Sequence, residues 1–135
     1  MTSKSIYLID SKLIIVKWTG VWDFEEYIES LRTFEATNYR IEINKVLHDI
    51  CELEYSFNLK EIKNIIEIKK KYVRKDHQTV YITAKPQDVV FAQMYSENLN
   101  HYNVNHCSTI EKGIQLLELE EYSKEITDKF EKINS

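Results

Sequence analysis

The sequence has very little glycine, proline or cysteine: two glycines, one proline and two cysteines in 135 residues. The scarcity of glycine and proline argues against long flexible linkers and against glycine-rich loops that bind phosphate. Cys51 and Cys107 are too few for a disulfide framework, and they indicate a reducing compartment. The apolar run at residues 6–9 is too short for a signal-peptide core or a membrane span. We therefore expect a cytoplasmic protein.

Positive charge is also scarce, because 22 acidic residues outnumber 18 basic ones and give a net charge of −4. Nucleic acids and anionic membranes are bound mainly by excess positive charge, so neither is an expected partner. A basic run at residues 69–75 lies at the end of a predicted helix, where cations complement the helix dipole. Hydrophobic residues make up 43% of the chain, which suits a single globular domain.

Predicted strands and helices alternate along the chain. Apolar runs rich in β-branched residues predict strands at residues 5–9, 13–18, 43–50, 79–84 and 103–107. Helix-start signals lie between them: the capping residues Asp23, Asn58 and Ser108, each with a glutamate three positions on, and Pro86 for a first helical turn. The order is β-β-α-β-α-β-α-β-α plus a tail helix. Helices between consecutive strands require parallel pairing, so we predict an α/β fold with a mainly parallel sheet of about five strands.

Apolar residues at helical spacing predict the buried face of each helix. They are Phe24, Tyr27, Ile28, Leu31 and Phe34 in the first helix, Leu59, Ile62, Ile65, Ile66 and Val73 in the second, Val90, Phe91, Met94 and Leu99 in the third, and Ile110, Ile114, Leu116 and Leu117 in the fourth. Residues 1–119 form the expected domain, and residues 120–135 form an amphipathic helix. The narrow apolar stripe of this helix must cover either its own sheet or a second subunit in a homodimer.

Three segments resemble the SpoIIAA-like family, which includes STAS domains and a bacterial group described as STAS/SEC14-like. They are Trp-Thr-Gly-Val-Trp at residues 18–22, Val-Leu-His-Asp at 46–49, and Val-Asn-His-Cys-Ser-Thr-Ile-Glu at 104–111 followed by Leu116 and Leu117. The resemblance covers residues 5–119. It implies the SpoIIAA-like fold and a non-catalytic regulatory or signalling module that binds a protein partner. The SEC14-like members imply an alternative, a carrier or sensor of a small apolar ligand such as a lipid.

The segment after Asp49 departs from the family pattern. STAS domains that antagonise anti-sigma factors carry an Asp-Ser-Ser-Gly-like segment here, in which a partner kinase phosphorylates a serine. In this chain Asp49 is followed by Ile50 and Cys51, with no glycine nearby, and Ser56 does not match the motif position. We therefore expect a module without the usual phosphorylatable serine motif.

The residues after the central strand form the predicted partner-binding surface, because a loop held by a rigid strand and helix concentrates binding residues. They are Asp49, Cys51, Glu52, Tyr55, Ser56 and Asn58. Glu52 and Glu54 would repel an anion at the start of the following helix, so a protein partner fits better than a phosphate. A solvated loop, with Asp49 merely bracing the strand end, explains the same residues.

Aromatic residues suggest a ligand pocket, for which we name Trp18, Trp22 and Tyr95. Trp18 and Trp22 flank the start of the first helix, and Tyr95 lies near the end of the third. Such a pocket would suit the small apolar ligand that the SEC14-like resemblance implies. Packing in the core and at its rim is the more common role of such aromatics.

Histidine and cysteine occur at two strand ends, His48 with Cys51 and His106 with Cys107. Zinc would suit these residue types, but neighbouring residues on a strand point to opposite faces. An intervening strand would also hold the pairs about 9 to 10 Å apart. A Cys51 nucleophile would need a glycine-lined turn or another oxyanion site, and neither glycine is nearby. We expect no metal, no cofactor and no enzymatic activity.

Overall fold

The computed structural model describes residues 1–38, 42–54, 59–72, 77–98 and 103–135. Its elements in chain order are β1 (Thr2–Leu8), β2 (Leu13–Val21), α1 (Phe24–Asn38), β3 (Lys45–Glu54), α2 (Leu59–Tyr72), β4 (Gln78–Ile82), α3 (Pro86–Asn98), β5 (Val104–Cys107), α4 (Ile110–Leu116) and α5 (Ser123–Ile133), with a short 3-10 turn at Glu120–Tyr122 before α5. The alternation confirms the predicted α/β class.

The five strands form a single sheet in which spatial order follows chain order, β1-β2-β3-β4-β5. β1 pairs antiparallel with β2 through a tight turn, in which the Lys12 amide donates to the Ile9 carbonyl at 3.2 Å. The three remaining pairings are parallel, because a helix separates the strands of each pair. The predicted mainly parallel sheet with one antiparallel edge strand is confirmed.

β3 extends four residues beyond its predicted end. The register with β2 shifts between Lys17 and Thr19, after which pairing resumes with Thr19 opposite Glu52 and Val21 opposite Glu54. Gly20 makes this stretch possible, because its φ is +87° and a Cβ there would lie 3.3 Å from the Met1 backbone. The predicted loop is therefore strand as far as Glu54, since pairing with a distant segment overrides local propensity.

One face of the sheet packs against α4 and α5, and we call it the α4–α5 face. Its buried residues are almost all aliphatic: Leu8, Leu13, Ile15, Leu47, Val80, Ile82, Cys107, Ile114, Leu117, Leu119, Ile126 and Ile133. The apolar stripe of α5 thus lies against the sheet of its own chain. Lys17 on this face is buried, and its Nζ donates to Oδ1 of Asn134 just after α5.

The opposite face carries α1, α2 and α3, and we call it the α1–α3 face. Its buried residues include several aromatic ones: Ile14, Val16, Tyr27, Ile43, Val46, Ile50, Leu53, Ile62, Ile65, Ile66, Tyr81, Phe91 and Ala92. On α3 the predicted burial of Val90 is wrong, because Val90 is 55% exposed while Phe91 and Ala92 point inward. The side chains of Leu31, Phe34, Leu59, Val73 and Leu99 lie outside the described residues.

Two helix starts can be compared with their predicted caps. The Asp23 carboxylate accepts the amide of the third following residue at 2.9 Å, as predicted. α4 is capped by Thr109 rather than Ser108, because Thr109 has the extended backbone of a capping residue and its Oγ1 accepts the Lys112 amide at 3.2 Å. The predicted Asn58 cap lies outside the described residues.

Candidate functional site

The carboxyl end of β3 is held by the connection between β4 and α3. The Lys85 ammonium donates to the carbonyls of Cys51 and Leu53, both at 2.9 Å. Asp88 is fully buried, with one carboxylate oxygen 3.7 Å from that ammonium and the other accepting the Ala84 and Lys85 amides at 2.9 Å. The backbone of the strand end is therefore fixed by charge-assisted hydrogen bonds.

Asp49 and Cys51 support this strand end from within. Asp49 is 3% exposed, and its Oδ1 accepts the Cys51 amide at 3.0 Å. This hydrogen bond braces the end of β3. Burial raises the pKa of the half-buried Cys51 thiol to about 12, and its hydrogen bond to Asp49 adds to that rise. A thiol of that pKa stays protonated and weakly nucleophilic at neutral pH. Asp49 and Cys51 therefore stabilise the strand end and do not form a reactive site.

Glu52 and Glu54 present their side chains to solvent, and we call these two residues the acidic strand end. The Glu52 side chain is 61% exposed, with one carboxylate oxygen 3.2 Å from Lys17 Nζ. The Glu54 carbonyl accepts the Trp22 amide at 2.7 Å, so the backbone is held while the carboxylate projects outward. Three further residues of the predicted surface, Tyr55, Ser56 and Asn58, lie outside the described residues.

A cavity of about 450 Å³ lies on the α1–α3 face. The sheet contributes Val16, Trp18, Val46, His48 and Tyr81 to its lining. On the other side α1 contributes Tyr27 and Ser30, and Trp22 closes the end nearest the start of that helix. The cavity therefore lies between the central strands and α1, bounded by both flat rings and branched aliphatic side chains.

His48 is the polar centre of the cavity wall formed by the sheet. Its Nδ1 accepts the indole N–H of Trp18 at 3.0 Å. Its ring stacks on Tyr81, with the centroids 4.8 Å apart and the planes inclined by 16°. Phe91 meets Tyr81 edge-on at 6.4 Å. Because Nδ1 accepts this hydrogen bond, that nitrogen acts as an acceptor and not as a donor.

The predicted ligand residues are only partly described. Trp18 and Trp22 both line the cavity, whereas nothing is described of the Tyr95 side chain. His48 was placed with the strand-end cluster by the sequence, yet it belongs to the cavity. The signal that could have found it is register, because Val16, His48 and Tyr81 are directly opposite one another on three adjacent strands.

Within the described ranges, no three His, Cys, Asp or Glu side chains converge in a way that could hold a metal ion. His48 and Cys51 lie on opposite faces of β3, and β4 separates β3 from β5. Within the same ranges, no helix combines the length and the apolar character needed to cross a membrane.

Comparison with known proteins yields similarity at the level of structure. The sequence matches no protein-family model and no curated protein. The fold is similar to that of the anti-sigma factor antagonist SpoIIAA in its unphosphorylated form, with a TM-score of 0.55 and 8% identity over 87% of this chain and 96% of that chain. It is also similar to the Bacillus cell fate determinant SpoIIAA in its phosphorylated form, with a TM-score of 0.53 and 11% identity over 84% of this chain and 97% of that chain. At these identities the likeness concerns the fold, and this chain has the SpoIIAA-like, STAS fold.

Proposed function

We propose that the protein is a non-catalytic regulatory module of a cytoplasmic signalling system, and that it binds a protein partner. The binding surface is the acidic strand end, continued by Tyr55, Ser56 and Asn58. The single observation that carries the proposal is the exposure of Glu52 and Glu54 on a strand end whose backbone Lys85 holds in place. The fold likeness to an anti-sigma factor antagonist supports a partner-binding role.

The charge of the surface suggests the chemistry of the partner. Glu52 and Glu54 leave two carboxylates at one strand end, and Lys17 forms an ion pair with the first of them. A partner with a complementary basic patch would be steered toward this end and correctly oriented on it. Asp49 is buried and Cys51 is half-buried, and the hydrogen bond between them fixes the strand beneath the exposed pair, so both serve as positioning residues.

The experiment is quantitative co-purification of partner proteins with tagged wild-type and variant chains. Glu54→Lys should remove a protein that the wild type retains, because it reverses the charge of the surface. The matched control is Glu111→Lys, which makes the same exchange at an exposed position on α4. Retention of every co-purifying protein by Glu54→Lys would contradict the proposed surface, and so would a wild type that retains none.

The second candidate function is carriage of a small apolar ligand, and the cavity of about 450 Å³ is the observation that favours it. Its size falls within the range of roughly 300 to 1,000 Å³ that is usual for small-molecule sites. Native mass spectrometry of the protein from its own host, followed by denaturing analysis, tests this function. A co-purifying small molecule would support it, and a bare chain would contradict stable carriage.

A further inference from the structure

We propose that the cavity on the α1–α3 face binds a neutral, planar, largely apolar small molecule. This inference rests on the ligand-carrier candidate and names its ligand class. The closing experiment separates an error in ligand class from the absence of a site. It leaves the protein-partner function untouched, because that function depends on the acidic strand end.

The α1–α3 face borders open space beside the sheet. Protein cores are packed almost as densely as organic crystals, and voids much larger than a water molecule are few. On the α4–α5 face of this sheet, Leu13, Ile15 and Leu47 are completely buried. Through the same strands, the α1–α3 face bounds about 450 Å³ of space. The same strands form both faces. The open space on the α1–α3 face therefore depends on the side chains that project from that face.

Flat rings define much of the shape of the cavity. Five aromatic side chains and two imidazoles line the cavity: Trp18, Trp22, Tyr27, Tyr81, Phe91, His48 and His77. Several rings are fixed relative to one another, since His48 lies against Tyr81 and Trp22 lies 5.9 Å from Tyr27. Fixed rings offer flat surfaces on which another flat ring can stack or pack edge-on. A planar ligand therefore matches this lining better than a flexible acyl chain.

The lining of the cavity carries few charged side chains. Among the lining residues that the structure describes, none is lysine or arginine. The two that carry a formal charge on the side chain are Glu26 and Glu29, which are 54% and 72% exposed. Glu26 lies 3.1 Å from the Met1 amino group, and Glu29 lies 3.7 Å from the guanidinium of Arg32.

The charge pattern selects a neutral ligand. The cation described on a lining residue is the Met1 amino group, which is already paired with Glu26. A carboxylate or phosphate inside the cavity would therefore have to compete for that partner, which is costly. A cationic ligand would gain little from Glu26 and Glu29, because both carboxylates are exposed and already form ion pairs. Nδ1 of His48 already accepts the Trp18 indole N–H, so it offers no donor to an anionic ligand. Fatty acids and phospholipids are therefore disfavoured.

The experiment uses Nile red, a neutral planar dye, as the probe and palmitate as an anionic competitor. The chain has two tryptophans and both line the cavity, so intrinsic fluorescence reports on occupancy directly. We expect saturable quenching of tryptophan emission, a matching rise in Nile red emission, and no displacement of the dye by palmitate. These readouts need no knowledge of the natural ligand.

Two space-filling variants locate the binding site. Ser30→Trp extends from α1 into the cavity and should weaken Nile red binding by about tenfold or more, because the added ring occupies ligand volume. The matched control is Glu25→Trp, at an exposed position of the same helix outside the lining, which should leave the affinity within about twofold. Ser5→Trp fills the cavity from β1 and serves if Ser30→Trp does not fold, as judged by circular dichroism.

Each outcome decides the proposal. Saturable binding that a folded filling variant weakens and the control retains supports it. Displacement of the dye by palmitate would overturn the ligand class while leaving a small-molecule site in place. Binding that the filling variants leave unchanged would overturn the location, and absence of binding to the wild type would overturn the site itself.

Discussion

The two faces of the sheet use the same five strands for different purposes. Ile15 on the α4–α5 face is 0% exposed among aliphatic neighbours, while Ile14, one position earlier on β2, is 6% exposed and lines the cavity. Aliphatic side chains fill the α4–α5 face, whereas the α1–α3 face borders about 450 Å³ of open space lined by several rings. We infer that one face supplies most of the stability and the other keeps room for a ligand.

Thiol reactivity tests the α4–α5 face with the largest expected effect. Iodoacetamide at pH 8 should modify Cys51 on the order of 1,000-fold more slowly in the native protein than in urea, because burial raises its pKa from 9.0 to about 12. Burial also raises the pKa of Cys107, so that thiol should be protected as well. Mass spectrometry of the alkylated chain gives both rates, and native modification of Cys51 within about tenfold of the unfolded rate would contradict this.

The same thiol makes a prediction about pH. The unfolded chain loses the Cys51 proton near pH 9.0, whereas the folded chain holds it to about pH 12. The contribution of this group to stability is therefore complete below pH 9.0 and lost as the pH rises toward 12. Cys51→Ser, which does not titrate there, should lose less stability over that interval in urea unfolding.

A pair of neighbouring substitutions compares the two faces directly. Ile15→Ala should lower the free energy of unfolding by about 4 kcal/mol, because it opens a cavity in a closed core. Ile14→Ala should lower it by about 2 kcal/mol, since its side chain already borders open space and loses fewer contacts. Urea unfolding measures both, and equal losses would contradict the difference in packing between the faces.

A substitution in α5 tests whether residues 120–135 belong to the domain. Ile126 is fully buried against the α4–α5 face, so Ile126→Ala should cost about 3 kcal/mol and leave a single unfolding transition. The control is Ile9→Ala, which removes a side chain that is mostly exposed and should cost little. A separate early transition, or no loss at all, would mean that the tail helix is not part of the cooperative unit.

The smallest expected losses of stability come from helix caps. A cap on the α1–α3 face and a cap on the α4–α5 face should contribute equally. Asp23→Ala on α1 and Thr109→Ala on α4 should each cost about 1 kcal/mol, since each leaves one amide of the first helical turn without its acceptor. Urea unfolding of the two single variants measures both losses. A loss from one variant alone would show that the other cap does not form as described.

The fold was largely predictable because its signals are local. Strand positions followed from β-branched runs, and the start of α1 followed from Asp23. The end of β3 was not predictable in this way, because Glu52 and Glu54 become strand only by pairing with β2 beyond its register shift. The cap of α4 was missed by one residue, since Ser108 and Thr109 are equally suited in sequence and backbone conformation decides between them.

The candidate site was less predictable, because it depends on faces and distances rather than on motifs. Sequence grouped His48 with Asp49 and Cys51, but strand alternation sends His48 to the cavity and the other two to the α4–α5 side. The cavity itself could not be derived, because the space between rings depends on how they pack. Tyr55, Ser56 and Asn58 remain predictions of the partner surface.

Methyl spectroscopy of isoleucine during a Nile red titration tests the division between the faces most directly. The δ1-methyl signals of Ile14 and Ile50, which line the cavity, should shift in proportion to occupancy. Those of Ile15 and Ile126, on the α4–α5 face, should stay in place. Shifts confined to Ile15 and Ile126, or of equal size at all four methyls, would contradict the division of labour between the two faces.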